Sequence, residues 1–139
     1  MGTSAIFGTI PSGSGNDFPK AAGVPLDPAR ALDTLFSGGI KAVDVGKLGD
    51  RYFINGLGIG LDGAVSHRFK KLVKIPKVLS GTHSGLEEVE LRRGPEMEIT
   101  VERALPAHMD GEPFYLKPGT HKISILPGAL KVIATPDAD

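Results

Sequence analysis

The alternation of apolar and polar residues divides the chain into a short mixed α/β start and a longer β-rich part. Residues 5–10 form an apolar run of the length of one strand. Three apolar residues then recur at the i, i+3, i+4 spacing of one helix face: Leu32, Leu35 and Phe36. From Lys41 the period changes to two, because Val43 and Val45 alternate with Ala42 and Asp44. The pattern predicts a strand and two helices before residue 40 and mainly strands after it, with one further helix from Asp62.

Turn and capping residues set the bounds of these elements. Residues 11–17 read Pro-Ser-Gly-Ser-Gly-Asn-Asp, and Asp17 is predicted to cap a short helix that ends near Gly23. A second helix is predicted to begin at Asp27-Pro28 and to stop at Gly38-Gly39. The β-rich part then opens with a strand, a turn at Gly49-Asp50, and a returning strand over residues 52–57.

The last 45 or so residues show the alternation of antiparallel strands. Met97, Ile99 and Val101 occupy alternate positions, Asp110-Gly111 predicts a tight hairpin, and Pro127-Gly128 predicts a further turn. This spacing predicts an antiparallel meander that shares one β body with the hairpin at Gly49-Asp50. The fold class is therefore α+β, with a short strand-helix start and a mainly antiparallel β body.

Composition narrows the class of protein. The 139 residues carry 16 basic and 16 acidic side chains, so a phosphate-driven nucleic-acid partner is not expected. There is no cysteine, which excludes disulfides and cysteine-ligated zinc, and the four histidines lack metal-ligand spacing. No apolar run reaches the ~20 residues of a membrane-spanning helix, and residues 1–8 do not resemble a signal peptide. We therefore expect a cytoplasmic protein without a transmembrane segment.

The glycine-rich turn at residues 11–17 is the first candidate for chemistry. Its glycines would let backbone N–H groups approach an anion, and the following helix would add amides at its start. Asn16 and Asp17 could then bond a nucleotide phosphate or a magnesium-bound water. The alternative is a tight strand-to-helix connection made of residues that fit it. The pattern differs from a P-loop, since no Lys-Ser or Lys-Thr pair follows.

The second candidate is the pair of carboxylates that flank Gly111. Asp110 and Glu112 would sit at the tip of the predicted hairpin. The simpler interpretation is a turn with a solvated glutamate. The functional one is that a carboxylate on a rigid tip accepts a proton from an attacking hydroxyl or ligates magnesium in phosphoryl transfer. Spacing alone leaves both open.

Residues 10–18 resemble the Pro-x-Gly-Thr-x-Asn-Asp-Phe motif of diacylglycerol, sphingosine and related bacterial lipid kinases, with Ser14 at the threonine position and Lys20 where an arginine is usual. Other segments resemble the same family in the same order: residues 21–25, 43–46, 51–55, 60–65, 75–83, 109–112 and 126–130. The resemblance covers nearly the whole chain. It implies the C-terminal part of a two-lobe kinase.

The resemblance also implies an activity and a site. The activity is ATP-dependent phosphoryl transfer to the hydroxyl of a diacylglycerol-like lipid, with ATP and Mg²⁺ as cofactors. Gly13, Ser14, Asn16 and Asp17 would bind the nucleotide, while Asp110 and Glu112 would be catalytic, with Asp110 also a metal ligand. The partner would be lipid at a membrane surface, so a peripheral position at the inner membrane face is one expectation.

Two family features are absent from this sequence. The Gly-Gly-Asp-Gly-Thr motif of the N-terminal lobe does not occur, and segments that are distant in the family lie almost adjacent here, as if by an internal deletion near residues 72–74. We therefore expect residues 1–40 to be a remnant of the nucleotide-binding lobe and residues 41–139 to be the β-rich C-terminal domain. The alternative function is a non-catalytic fragment or binding module that needs a separate N-terminal lobe. A homo-oligomer is a further expectation about partners.

Overall fold

A computed structural model describes residues 4–60 and 93–136 of the chain. The chain divides into two compact units at Gly56/Leu57 and again at Ser124/Ile125, and each unit is described by itself. The predicted boundary at residue 40 stays a prediction, and the predicted helix from Asp62 and the apparent deletion near residues 72–74 lie outside the described residues. Strands predominate and only two helices occur in the described part, so the predicted α+β class is confirmed.

The first unit combines both helices with a mixed sheet. Its elements are β1 (Ile6–Phe7), α1 (Asp17–Ala22), α2 (Pro28–Ser37), β2 (Gly39–Leu48), β3 (Arg51–Phe53) and the second part of β8 (Gly119–Ala134). The strand order is β1-β8-β2-β3, with β1 parallel to β8 and β3 antiparallel to β2. Strand β3 is the predicted returning strand, and it is shorter than the predicted range of residues 52–57.

Helix α2 follows its sequence signals closely. The Asp27 carboxylate accepts a hydrogen bond from the Arg30 N–H at 2.9 Å, and Pro28 occupies the first turn. The helix ends at Gly38, where a Cβ would come within 2.5 Å of the Thr34 carbonyl oxygen and 2.6 Å of the Ala134 carbonyl oxygen. Only glycine fits that close approach, so the predicted stop is confirmed.

Helix α1 begins differently from the prediction. Its N-cap residue is Asn16, whose side chain accepts no capping hydrogen bond from the helix, and Asp17 is already the first helical residue. At the other end Gly23 has φ 82°, and the Val24 N–H donates to the Pro19 carbonyl at 2.8 Å. This left-handed C-terminal motif is the one that glycine favours.

Small residues dominate the core of the first unit. Ala22, Val24, Ala31, Val132 and Ala134 are buried together, and Phe18, Val43 and Leu130 pack against them. Larger apolar side chains remain at the surface, among them Phe36, which is 86% exposed. The core is therefore thin, as expected for a chain rich in glycine and poor in aromatic residues.

Strand β8 passes straight through the predicted turn at Pro127-Gly128, so that prediction is wrong. Gly128 has φ 57°, and its N–H donates to the Asp44 carboxylate at 2.9 Å. A left-handed glycine inside a strand is typical of a β-bulge, in which one residue leaves the ladder. Here the Asp44 side chain on β2 accepts the Gly128 N–H, and the strand continues to Ala134.

The second unit contains two separate strand pairings. Strands β4 (Leu57–Ile59), β6 (Leu105–Met109) and β7 (Glu112–Leu116) form one sheet in the order β4-β6-β7. Strand β5 (Glu96–Val101) instead pairs antiparallel with the first part of β8. The predicted meander is therefore wrong, because β5 skips its sequence neighbour. The hairpins at Gly49-Asp50 and Asp110-Gly111 form as strands in different sheets, and the expected single β body stays a prediction.

None of the helices described in residues 4–60 and 93–136 has the length and apolar character needed to cross a membrane.

Candidate functional site

The glycine turn of the first unit, residues 11–16, is held closed by a side chain of its own. Pro11 is buried at its base, while residues 12–15 are exposed. The Gly13 N–H donates to the Asn16 side-chain oxygen at 3.0 Å. Asn16 itself adopts φ 51° and ψ 38°, a left-handed conformation that asparagine tolerates better than most residues. The Gly13 amide is thus already bonded inside the turn, which the sequence did not reveal.

A second side chain, Lys20, closes the turn from helix α1. Its ammonium group donates to the Gly15 carbonyl oxygen at 2.6 Å and lies 3.7 Å from a carboxylate oxygen of Asp17. Both side chains of this ion pair are largely solvent-exposed. Sequence reasoning noted Lys20 only as a family departure and missed its contact with the turn. A basic residue one helical turn after a Gly-Asn-Asp sequence is the signal that could have found it.

The short helix limits what its own N-terminus can contribute. Helix α1 has only six residues, so few peptide dipoles align along its axis. The expectation that the helix start adds a strong positive end is therefore weaker than the sequence suggested. Among the residues predicted to bind a nucleotide, Ser14 and Asp17 are exposed and Asn16 is half-buried. Polar side chains and an ammonium group, not a helix dipole, define the chemistry of this turn.

In the second unit, the Asp-Gly-Glu segment forms the tight hairpin turn that was predicted. Asp110 has φ 50° and Gly111 has φ 86°, which matches a type I′ turn between β6 and β7. Met109 and Glu112 are the first paired residues of the ladder, and Met109 is buried. Asp110 and Glu112 are exposed. A rigid antiparallel ladder therefore carries two solvent-facing carboxylates at its tip.

The structure assembles the predicted residues as two groups. Gly13, Ser14, Asn16 and Asp17 lie within five consecutive residues of the first unit, and Asp110 and Glu112 lie in the second. Each group is pre-formed by local structure. Their convergence on one ligand stays a prediction, as do the roles given to the six residues.

The carboxylates of Asp110 and Glu112 suit a magnesium ion shared with substrate phosphates better than a metal ion bound only by protein side chains. Within residues 4–60 and 93–136, no cluster of three or more His, Cys, Asp or Glu side chains could hold a metal ion. Mg²⁺ commonly binds through one or two carboxylates together with substrate phosphates, and Asp110 and Glu112 provide that donor set. Of the histidines, His67 and His83 lie outside the described residues, and His121 bonds through its Nε2 to the Lys117 carbonyl at 2.8 Å.

Two sequence families match the chain in succession. Residues 1–48 match the diacylglycerol kinase catalytic domain, and residues 62–134 match the YegS C-terminal NAD kinase beta sandwich-like domain. The first match contains the glycine turn and the second contains the carboxylate hairpin. The order of the two matched domains agrees with the order of the segments that resemble the lipid kinase family.

Curated relatives share substantial identity over part of their length. A probable lipid kinase YegS-like protein of Pseudomonas putida is 39% identical over 75 residues, which is 51% of this chain and 25% of the relative. A diacylglycerol kinase of Staphylococcus saprophyticus is 46% identical over 49 residues, or 35% of this chain and 16% of the relative. The matched regions therefore span a quarter or less of these relatives.

Solved structures share the fold. A diacylglycerol kinase from Bacillus anthracis superposes with a TM-score of 0.62 and 16% identity, covering 91% of this chain and 66% of the other. A putative diacylglycerol kinase from the same organism gives 0.67 and 21%, covering 93% and 66%. At these identities the likeness concerns the fold, and the chain spans about two thirds of either structure.

Proposed function

Because the chain belongs to the bacterial diacylglycerol kinase and YegS-like lipid kinase family, we propose that it supplies part of the nucleotide site and the carboxylate hairpin of an ATP-dependent lipid kinase. The reaction is transfer of the ATP γ-phosphate to the hydroxyl of a diacylglycerol-like lipid. One observation carries the proposal. The two successive family matches each contain one exposed polar turn held in a defined conformation. Phosphoryl transfer needs groups that position the phosphates and a residue that accepts the proton of the nucleophile, and the two turns offer side chains of these two types.

The glycine turn is the nucleotide side in this proposal. Ser14 and Asn16 bond phosphate oxygens with their hydroxyl and amide groups, while Gly13 supports them by bonding the Asn16 oxygen. That internal bond orients the Asn16 side chain before any ligand arrives, which lowers the ordering cost of binding. Asp17 lies next to this turn and serves the magnesium-bound side of the phosphates.

The carboxylate hairpin is the acceptor side. Asp110 takes the proton from the attacking lipid hydroxyl as the lipid oxygen bonds to the γ-phosphorus and the bond from that phosphorus to the β–γ bridging oxygen breaks, which releases ADP. Glu112 assists Asp110 at the same tip. Asp110 and Glu112 would also hold Mg²⁺, which when bound neutralises the charge of the phosphates. The type I′ turn and the β6–β7 ladder hold the backbone of both residues, so their carboxylates project from one defined tip.

The acceptor is a lipid, so we place the reaction at a membrane surface, with the protein peripheral to the inner face. Two relatives, a probable lipid kinase and a diacylglycerol kinase, support this substrate class. The matched regions cover a quarter or less of these relatives, and we propose that an N-terminal lobe completes the site. The chain alone is then expected to bind magnesium-ATP with a dissociation constant no better than ~1 mM, worth ~4 kcal/mol.

The test is lipid phosphorylation by this chain, alone and mixed with the N-terminal lobe of the Pseudomonas putida relative. We expect no turnover alone and measurable turnover with the lobe. Asp110→Asn should then lower the rate by roughly two orders of magnitude or more, since the amide cannot accept the proton. Asp50→Asn is the matched control, because Asp50 is also an exposed aspartate of a hairpin turn, and it should leave the rate unchanged.

The outcomes separate the two functions. Activity that survives Asp110→Asn would remove the hairpin from the mechanism and leave it as a turn. No turnover with the lobe present, despite native folding of both parts, would favour the non-catalytic binding module. A micromolar affinity of the chain alone for magnesium-ATP would contradict the need for a second lobe.

A further inference from the structure

Lys20 contacts the glycine turn at a point where it controls the direction of a peptide group. Its ammonium donates to the Gly15 carbonyl oxygen at 2.6 Å, a short charge-assisted hydrogen bond. The described residues contain no cis peptide bond, so the Gly15 carbonyl and the Asn16 N–H point in opposite directions. The ammonium therefore draws the carbonyl towards the helix and turns the Asn16 N–H away from it.

Two side-chain hydrogen bonds hold the turn, and they involve different peptide groups. The Asn16 side-chain oxygen accepts from the Gly13 N–H, and the Lys20 ammonium donates to the Gly15 carbonyl. Asn16 stands between them in a left-handed conformation that a free loop would populate only in part. Removing the hydrogen bond from Lys20 to the Gly15 carbonyl would let the Gly15–Asn16 peptide rotate, and the Asn16 side chain would move with that peptide.

Lys20 also balances the charge beside the turn. The Asp17 carboxylate lies 3.7 Å from the ammonium, and the Asp17 side chain is 76% exposed. An isolated carboxylate there would repel an approaching phosphate, and the lysine offsets that charge locally. Because both groups are exposed, this effect is modest and falls with added salt.

From these contacts we propose that Lys20 is a positioning residue of the glycine turn. Lys20 fixes the Gly15–Asn16 peptide so that the side-chain amide of Asn16 faces a nucleotide phosphate. Its charge also offsets the negative charge of Asp17. This inference rests on the proposed function for its ligand. The geometry of the turn without ligand tests it separately. Lys20 acts through Gly15 and Asn16 and takes no part in the transfer step.

The variants are Lys20→Met, which keeps an unbranched side chain without charge, and Lys20→Arg, which keeps a charged donor. Lys117→Met is the matched control, since Lys117 is an exposed lysine after strand β7, in the other unit. Amide hydrogen exchange of the free chain comes first. We expect Gly13 to exchange at least about threefold faster in Lys20→Met, and near the native rate in Lys20→Arg and Lys117→Met.

The second measurement is kinetic and uses the chain with the supplied N-terminal lobe. Lys20→Met should raise the KM for ATP roughly tenfold with little change in kcat, since Lys20 positions the turn and does not touch reacting atoms. Lys20→Arg should restore KM to within about threefold. A thermal midpoint unchanged among the variants excludes a general loss of structure as the cause.

The results decide the matter in every case. Unchanged exchange at Gly13 in Lys20→Met overturns the proposal, and so does an unchanged KM. A fall in kcat alone assigns Lys20 to the chemical step and overturns it as well. If the wild-type mixture shows no turnover, the proposed kinase function fails on its own. The exchange rates of the free chain then decide for or against Lys20 as the residue that holds the turn.

Discussion

The glycine turn of the first unit and the Asp-Gly-Glu hairpin of the second stabilise a left-handed backbone conformation by different means. Each contains one non-glycine residue in the left-handed region, Asn16 with φ 51° and Asp110 with φ 50°. The glycine turn is held by side chains, through the bonds of Asn16 and Lys20. The hairpin is held by the backbone ladder of β6 and β7.

This difference predicts which residues can be exchanged. Where side chains hold a turn, the conformation depends on the identity of those side chains. Where a ladder holds it, the conformation depends mainly on residues that tolerate positive φ. The hairpin should therefore tolerate changes at Asp110 and be sensitive at Gly111, while the glycine turn should be sensitive at Asn16.

The largest effect on stability is expected at Gly111, whose φ of 86° is unfavourable for any residue with a Cβ. Gly111→Ala should lower the free energy of unfolding by about 1–2 kcal/mol, measured by urea denaturation followed by circular dichroism. Gly94→Ala is the control, because Gly94 has no positive φ and an added Cβ would make only an ordinary contact. Equal stability of the two variants would mean that the ladder does not enforce the turn.

A smaller loss is expected in the glycine turn. Asn16→Ala removes the oxygen that accepts the Gly13 N–H and the residue type that tolerates φ 51°. We expect a loss of about 1 kcal/mol, with faster exchange of the Gly13 amide. Asn16→Asp keeps an accepting oxygen and should stay close to the wild type. If Asn16→Ala and Asn16→Asp behaved alike, the side-chain bond would not be what holds the turn.

The smallest effect concerns the ion pair between β5 and β8, where Lys122 lies 2.7 Å from Glu96. The hydrogen bond with Glu96, reinforced by its negative charge, raises the pKa of Lys122 above 10.5. The stabilisation is therefore fully present below pH 10.5 and is lost as the pH rises through the higher pKa of the folded state. Since both side chains are exposed, it should be slight and sensitive to salt.

The measurement is the thermal midpoint of Glu96→Gln against the wild type at neutral and at strongly alkaline pH. Any difference at neutral pH should vanish once Lys122 is deprotonated, and added salt should reduce it. A difference that grew with pH would show that the pair does not act through the charge of Lys122.

Local sequence signals predicted those elements that local interactions stabilise. Helix α2 begins at its Asp27 cap, β5 has its alternating residues, and the Asp110-Gly111 hairpin closes as predicted. Errors arose where distant partners decide. Pro127-Gly128 reads as a turn, yet Asp44 on β2 accepts the Gly128 N–H across the sheet and the strand continues. Likewise β5 pairs with β8 and not with its neighbour β6.

The sequence by itself determined the family, the order of its segments and the residue types of both turns, because these depend on identity and spacing along the chain. It could not reveal that the Gly13 N–H donates to the Asn16 side chain, or that the Lys20 ammonium donates to the Gly15 carbonyl. Those facts depend on φ at Asn16 and on the direction of a side chain one helical turn further on. Although the partners are only three and five residues apart, the folded conformation of the turn decided these bonds, since a hydrogen bond requires two atoms to meet in space and the sequence sets only their separation along the chain.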